Sequence, residues 1–367
     1  METMEIEQFN NCYFNKKVLI TGHTGFKGSW LALWLKCLGA NILGISLDPE
    51  TAPNHWDHLN LEIDEFRIDI RNESLLKQAI NKLQPEIIFH LAAQPLVRRS
   101  YSNPIETWST NVMGTANLLE NCRHCSSIKA IVAITTDKVY ENREWVWGYR
   151  EIDALGGRDP YSASKSACEI VINSYRDAFF NQEKPPLLAS ARAGNVIGGG
   201  DWCTDRLIPD IAKATSQNEI IKIRSPKSTR PWQHVLDCLS GYLLLGEKLL
   251  DSSSLPFAKA WNFGPKAEDN INVESIIALL QKHWPDIKWT DTGAEKQPHE
   301  ASLLYLDSSQ ANSKLKWKPT WNLEKAVEMT AKWYHSFYSK GLISSEQQLK
   351  TYIQDAANSY QPWAVFK

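Results

Sequence analysis

Two short clusters in this chain of 367 residues carry side chains that could move protons. In Tyr161-Ser162-Ala163-Ser164-Lys165 a phenol and an ammonium stand four residues apart, which places them on one face of a helix. Upstream, Thr135-Thr136-Asp137-Lys138 sets hydroxyl, carboxyl and amine side by side at the end of an apolar run. A tyrosine titrates near 10 in water, so taking a proton near neutrality requires that value to fall by about 3, roughly 4 kcal/mol. The Lys165 ammonium can supply part of this by stabilising the phenolate, and a second cation close by can supply the rest. Thr136 is placed to hold the same oxygen as Tyr161, and Asp137 and Lys138 add a carboxyl and an amine beside it.

These groups need a scaffold, and the stretch beginning at Lys17 provides its first part. Lys17 to Thr21 is apolar and rich in β-branched residues; Gly22, Gly25 and Gly28 follow, then a segment from Trp30 to Leu38 that reads as an amphipathic helix. Strand, glycine turn and helix in that order make a phosphate cradle, in which the backbone can approach a pyrophosphate held at the helix N-terminus. Thr24, Phe26 and Lys27 lie within it. The context is that of a dinucleotide site, and an oxidised nicotinamide ring is the second cation that Tyr161 needs. A strand from Asn41 to Asp48 comes next, with Asp48 about twenty residues past the glycines, where an acid binds the adenosine ribose. No Lys or Arg occurs between Lys36 and Arg67, so the loop lacks a clamp for a 2′-phosphate, which favours NAD over NADP.

Further apolar runs at Phe66 to Ile70, Glu86 to Gln94, Ile128 to Thr135 and Leu187 to Arg192 alternate with helical stretches at Asn72 to Leu83, Ile105 to Cys122 and Pro160 to Phe180. Strict alternation of strand and helix predicts an α/β fold of the Rossmann type, a doubly wound parallel sheet. Leu91, Ala92, Ala93 and Gln94 end one strand in small residues that leave room for a cofactor, and His90 within the same strand reads as a core histidine. Composition shifts after Gly194. The expected division is a dinucleotide domain over residues 15–195 plus 230–268, a smaller α/β substrate domain over 196–229 plus 269–367, and an N-terminal extension over 1–14. Arg206 and Arg230, on a chain without positive excess, are candidates for anion binding, with surface salt bridges as the alternative.

Forty basic residues against 42 acidic ones give no global field to recruit nucleic acid or anionic membrane. No apolar run approaches bilayer length and the first fifteen residues lack a signal-peptide core, so the expectation is a soluble cytoplasmic chain. Seven scattered cysteines fit reduced thiols; Cys122 and Cys125 have no second pair to complete a zinc site, and no metal is expected. His55, Trp56 and His58 read as solvated loop residues. Fifteen tryptophans point to core and subunit interface.

The glycine triple with Tyr161 and Lys165 resembles the extended short-chain dehydrogenase/reductase superfamily. Thr136-Asp137-Lys138, the run Gly194 to Pro209 with Gly198-Gly199-Gly200-Asp201-Trp202, and Ser228 to Val235 narrow this to its nucleotide-sugar 4,6-dehydratases, on the branch acting on CDP-glucose. The resemblance implies a redox-neutral loss of water. Tyr161 takes the proton of the 4-hydroxyl as NAD accepts hydride from C4; the C5 proton is removed, Asp137 protonates the leaving 6-hydroxyl, and hydride returns to C6. Relatives acting on dTDP-glucose carry a glutamate where this chain has Lys138, which either removes the C5 proton or only orients Asp137. In relatives the ribose acid falls at Ser46, so Asp48 is a shifted candidate. Asp69 is implied to face the adenine, Asn111 to belong to the active-site framework, and Ile70, Thr135 and Arg192 to complete the cofactor set. Asn195, Arg206, Leu207, Lys222, Arg224, Arg230, His299 and Glu300 are implied to hold the sugar nucleotide. Cytidine selectivity rests on the resemblance alone, as does a homodimer or homotetramer built on helices Ile105 to Cys122 and Pro160 to Phe180. A 4-epimerase shares the cradle, Tyr161 and Lys165 but has no need of Asp137 and Lys138; a non-catalytic dinucleotide sensor needs neither Tyr161 nor Lys165.

Overall fold

A computed structural model describes residues 5–180, 186–251, 255–293 and 303–367. In chain order the elements are β1 (Ile6–Gln8), β2 (Lys17–Thr21), α1 (Phe26–Cys37), β3 (Asn41–Ser46), α2 (His55–Leu59), β4 (Asp64–Arg67), α3 (Glu73–Leu83), β5 (Ile87–His90), α4 (Val97–Ser102), α5 (Pro104–Trp108) and α6 (Gly114–Arg123). There follow β6 (Ala130–Ile134), α7 (Pro160–Phe179), β7 (Leu187–Ala193), β8 (Asn195–Ile197), α8 (Leu207–Ser216), β9 (Ile220–Ile223), β10 (Thr229–His234), α9 (Val235–Leu250) and β11 (Ala260–Phe263). The last are β12 (Asn270–Asn272), α10 (Val273–His283), β13 (Lys288–Asp291), α11 (Leu323–Lys340), α12 (Ser345–Asn358) and β14 (Ala364–Phe366).

Seven strands form one parallel sheet in the order β11-β7-β6-β5-β2-β3-β4. Val18, Leu19 and Ile20 of β2 and all of β6 are buried, as near-continuous apolar strands must be when helices cover both faces. Asn72 caps α3 by accepting the Leu75 N–H, as expected, and Asp159 with Ser162 forms a capping box that fixes the start of α7 one residue before Tyr161. His90 is the core histidine foreseen: its ring nitrogens meet Thr21 and Thr115 hydroxyls at 2.7 and 3.0 Å.

Helix α1 departs from expectation. Every residue from Gly28 to Leu35 is buried, so the segment is not amphipathic but enclosed. Its outer face is covered by the chain termini: β1 pairs antiparallel with β14, Phe9 stacks on Trp363 at 5.0 Å, and Trp34 donates to Gln8 at 2.9 Å and meets the Tyr352 ring of α12 at 5.6 Å. The described part of the N-terminal stretch, counted above as an extension, is thus anchored to the fold by β1 and by the buried Phe9 and Tyr13. Helix α12, counted with the substrate domain on sequence grounds, packs on this side of the sheet. Its Tyr352 hydroxyl donates to Asp237 at 2.8 Å, whose deeply buried carboxyl is pushed up to about 7. His55 and Trp56 are buried too; the His55 ring bridges Ser29 and Ser345 at 2.8 and 2.7 Å and so ties α2 to both α1 and α12. Strand β10 pairs with β8 and β12 in a separate three-stranded sheet, so its residues do not extend the main one.

Arg192, assigned above to the cofactor, does not reach the cleft. Side chains alternate along β7, and Ser190 and Arg192 face α7 while Ala193 faces the ligand side. Arg192 is 2% exposed and grips Glu169 of α7 through Nε at 3.0 Å and Nη2 at 2.8 Å. Thr135 and Ser190 donate to the same carboxylate at 2.5 and 2.8 Å. Losing one partner of such a pair leaves the other charge buried and uncompensated. Arg192→Leu should therefore lower stability by about 3–5 kcal/mol in urea unfolding; an unfolding midpoint equal to that of the parent would show the pair to be dispensable.

Candidate active site

Beyond the carboxyl ends of β2, β3, β5, β6 and β7 lies a cleft of about 880 Å³, where parallel sheets of this kind place their ligands. One end is the glycine turn. Gly22 has φ +76°, and a Cβ added there would come 2.8 Å from the Ala92 nitrogen. At Gly28 a Cβ would meet the Gly22 carbonyl oxygen at 2.1 Å, so the first turn of α1 can close on the loop only without a side chain. Gly25 is exposed and has open space toward the cleft, and no side chain caps α1. Free N–H groups at a helix start, facing a cleft with Thr24, Phe26 and Lys27, fit a pyrophosphate.

The next stretch of wall fits the adenosine half of a dinucleotide. Thr24 meets the Ser46 hydroxyl at 2.7 Å and donates to the Leu47 carbonyl at 3.0 Å. Asp48 lines the cleft, but β4 brings Arg67 alongside it at 3.6 Å, a neighbour invisible in the loop sequence. Arg67 also pairs with Glu65 at 2.8 Å, so its charge is already matched. Asp69 and Ile70 line the same wall; the Arg71 guanidinium holds Asp69 from both oxygens and keeps its carboxyl below the usual range. Leu91, Ala92, Ala93 and Gln94 complete this side. Asn111 is not in the wall: its amide clamps Gln94 through N–H and carbonyl at 2.7 and 3.1 Å and donates to Ser164 at 2.9 Å, linking the loop after β5 to α7.

At the middle of the cleft Thr135, Thr136, Asp137 and Lys138 leave the end of β6 opposite Tyr161 and Lys165. Thr136 donates to Asp137 at 2.9 Å and accepts the Lys138 N–H at 3.4 Å, so the turn orients its own carboxyl. Asp137 is 2% exposed, and burial raises its pKa against the opposing charges of Lys138, Arg230 and Lys27. Gly194 leaves it room, since a Cβ there would come 3.1 Å from Asp137 Oδ2.

The phenol does not behave as its sequence suggested. Burial pushes Tyr161 up to about 12, opposed by a hydrogen bond with Thr136 and the charge of Arg206, and the expected depression by Lys165 is missing. Lys165 donates instead to the Ile134 carbonyl at 3.3 Å, and burial lowers its own pKa. Desolvation outweighs the ammonium here.

The far end of the cleft is formed by Asn195, Arg206, Leu207, Lys222, Arg224 and Arg230. Arg206 pairs with Asp201 at 2.8 Å. Sequence reasoning passed over Arg98, Asp205 and Asp210 in this wall; the signal for Asp210 was its spacing four residues after Arg206. His299 and Glu300 lie outside the described residues.

The model of the family described as GDP-mannose 4,6 dehydratase matches residues 19–330. CDP-glucose 4,6-dehydratase of Salmonella typhimurium is 48% identical over 353 residues, covering 94% of this chain and 98% of that protein. A dTDP-glucose 4,6-dehydratase of Xanthomonas campestris is 26% identical, covering 90% and 97%. Among solved structures, UDP-glucuronic acid 4-epimerase from Bacillus cereus superposes with TM-score 0.75 at 24% identity, covering 88% of this chain and all of that one. The dTDP-glucose 4,6-dehydratase from Streptomyces venezuelae, solved with NAD bound, gives 0.74 at 20%, covering 89% and 98%. The glycine cradle, the buried carboxyl at the end of β6 and the phenol of α7 thus belong to a member of the GDP-mannose 4,6 dehydratase family, the nucleotide-sugar dehydratases of the extended short-chain dehydrogenase/reductase superfamily.

Proposed function

We propose that the chain binds NAD and converts CDP-glucose to CDP-4-keto-6-deoxyglucose and water. The observation that carries this reading is the placement of Asp137: a buried carboxyl whose pKa burial raises, in one cleft with Tyr161 and the glycine cradle. A 4-epimerase has no use for such an acid. Near-complete coverage at 48% identity to the Salmonella enzyme supports the choice of sugar nucleotide.

In this reading Gly22, Gly25 and Gly28 hold the pyrophosphate of NAD, Thr24, Ser46 and Asp48 its adenosine ribose, and Asp69 with Ile70 the adenine edge. When bound, NAD supplies the acceptor for the C4 hydride, its return to C6, and the positive charge beside Tyr161. Tyr161, hydrogen-bonded to Thr136, takes the proton of the 4-hydroxyl. Asp137 gives its proton to the departing 6-hydroxyl, and Lys138 takes the proton from C5. Arg206 and Arg230 bind the diphosphate, with Asn195, Leu207, Lys222 and Arg224 around the nucleoside. Residues 15–195 with 230–268 carry the cofactor in this scheme, and 196–229 with 269–367 the sugar nucleotide.

The test is to offer the purified protein CDP-, dTDP-, UDP- and GDP-glucose, reduce any ketone with borodeuteride and weigh the product. Loss of water from CDP-glucose is expected; an epimer of unchanged mass would overturn the reading. For Lys138→Ala, solvent deuterium should no longer enter C5 although C4 oxidation, followed through reduced cofactor, continues. Undiminished exchange would leave Lys138 only orienting Asp137.

Large apolar side chains are exposed on the packed helices α5 and α7 and the helical turn joining α5 to α6, notably Ile105 at 78%, Met113 at 56% and Ile170 at 60%. A second copy of the chain covers them in the proposed homodimer. Light scattering should return at least twice the chain mass for the parent and a smaller mass for Ile105→Asp/Ile170→Asp; a monomeric parent would rule the dimer out.

A further inference from the structure

Asp210 is a half-buried carboxylate in the cleft wall that no step above uses. It lies in the first turn of α8, and its N–H donates to the Arg206 carbonyl at 3.0 Å. Arg206 is the residue that precedes α8, so Asp210 follows it by one turn of backbone. Arg206 acts on the Tyr161 phenol through its charge, while Asp210 lies near Asp205 and Arg98, and Asp205 in turn pairs with Arg224. Strand β9, packed on α8, contributes Ile221 and Ile223 beside them.

The other carboxylates of this wall are matched: Asp201 by Arg206 at 2.8 Å, Asp205 by Arg98 at 3.3 Å and by Arg224 at 3.8 Å. Asp210 makes no side-chain hydrogen bond among the described residues. Lys213 and Arg98 act on it only through their charge, and burial with the negative Asp205 lifts its carboxyl to about 6. An unmatched acceptor in a site for a dianionic ligand belongs where that ligand presents donors. Along a substrate whose hexose meets Tyr161 and whose diphosphate meets Arg206, the next part is the nucleoside. Cytosine carries an amino group at ring position 4, whereas uracil and thymine carry a carbonyl oxygen there.

We propose that Asp210 selects the base, accepting a hydrogen bond from the 4-amino group of cytosine and repelling the 4-carbonyl of uracil or thymine. The proposal rests on the reading of the substrate as a CDP-sugar and supplies the selectivity that residue types had left to the resemblance. Ribose hydroxyls are donors as well, but cytidine and uridine carry the same ones.

The experiment compares the parent with Asp210→Asn, whose amide can present either a donor or an acceptor. The kcat/KM values for CDP-glucose and UDP-glucose are measured, together with calorimetric affinities of the NAD-loaded protein for CDP and UDP, which need no turnover. The cytidine preference should fall roughly 10- to 100-fold in both measurements, mostly through KM. An unchanged preference would overturn the proposal, and so would equal weakening of both nucleotides, which marks a ribose contact. Should Asp210→Asn fold poorly by circular dichroism, Asp210→Ser gives the same comparison. A parent without cytidine preference would overturn the CDP-glucose reading itself; a preference that survives substitution would remove only Asp210.

Discussion

The carboxylate of Glu169 is the fixed point of this molecule. It projects from α7 one turn after Lys165 and is held by Arg192 and Ser190 of β7 and by Thr135, the residue that follows the neighbouring β6. Removing this charge from water is expensive, and the cost is offset only because every contact is present at once. Slippage of α7 along the sheet would break several charge-assisted bonds together. The helix that carries Tyr161 and Lys165 is thereby registered against the turn that carries Thr136 and Asp137. Asn111 repeats the device on the other side, tying the loop after β5 to Ser164 of the same helix.

Burial acts on Asp137, Tyr161 and Lys165 in one direction, toward the neutral form. It raises Asp137 and Tyr161 and lowers Lys165. For the proposed role of Asp137, an acid that holds its proton until a hydroxyl departs, this direction is favourable. For a phenol that must give up its proton it is adverse, and the ammonium four residues away does not overcome it. In the proposed mechanism the charge of a bound nicotinamide would do what the chain alone does not, tying the proton transfer at Tyr161 to the hydride transfer.

Away from the cleft, the aromatic residues solve a covering problem. Helix α1 must present its first turn to the ligand and still bury Trp30 and Trp34, and one sheet face cannot bury a helix on all sides. The termini close the gap: β1 and β14 pair, Phe9 and Trp363 stack, and α12 lays Tyr352 against Trp34. His55 between two serine hydroxyls adds a polar tie that burial holds neutral, with a pKa of about 3.

The alternation of strands and helices, the glycine cradle, the Asn72 cap and the pairing of Tyr161 with Lys165 were legible in the sequence, because each depends on spacings of a few residues. Those spacings fix local geometry: period two in a strand, four along a helix, a glycine where a Cβ cannot fit. What they do not fix is which face of an element meets which neighbour. So Arg192, at the right end of the right strand, turned out to serve Glu169 and not the cleft; Asp48 acquired Arg67 from the next strand; and the N-terminal stretch, a mere extension by composition, became anchored to the fold through a partner more than 350 residues away. The protonation preferences of Tyr161, Asp137 and Asp210 belong to the same class. Desolvation and neighbouring charge come from side chains that only the folded chain brings together.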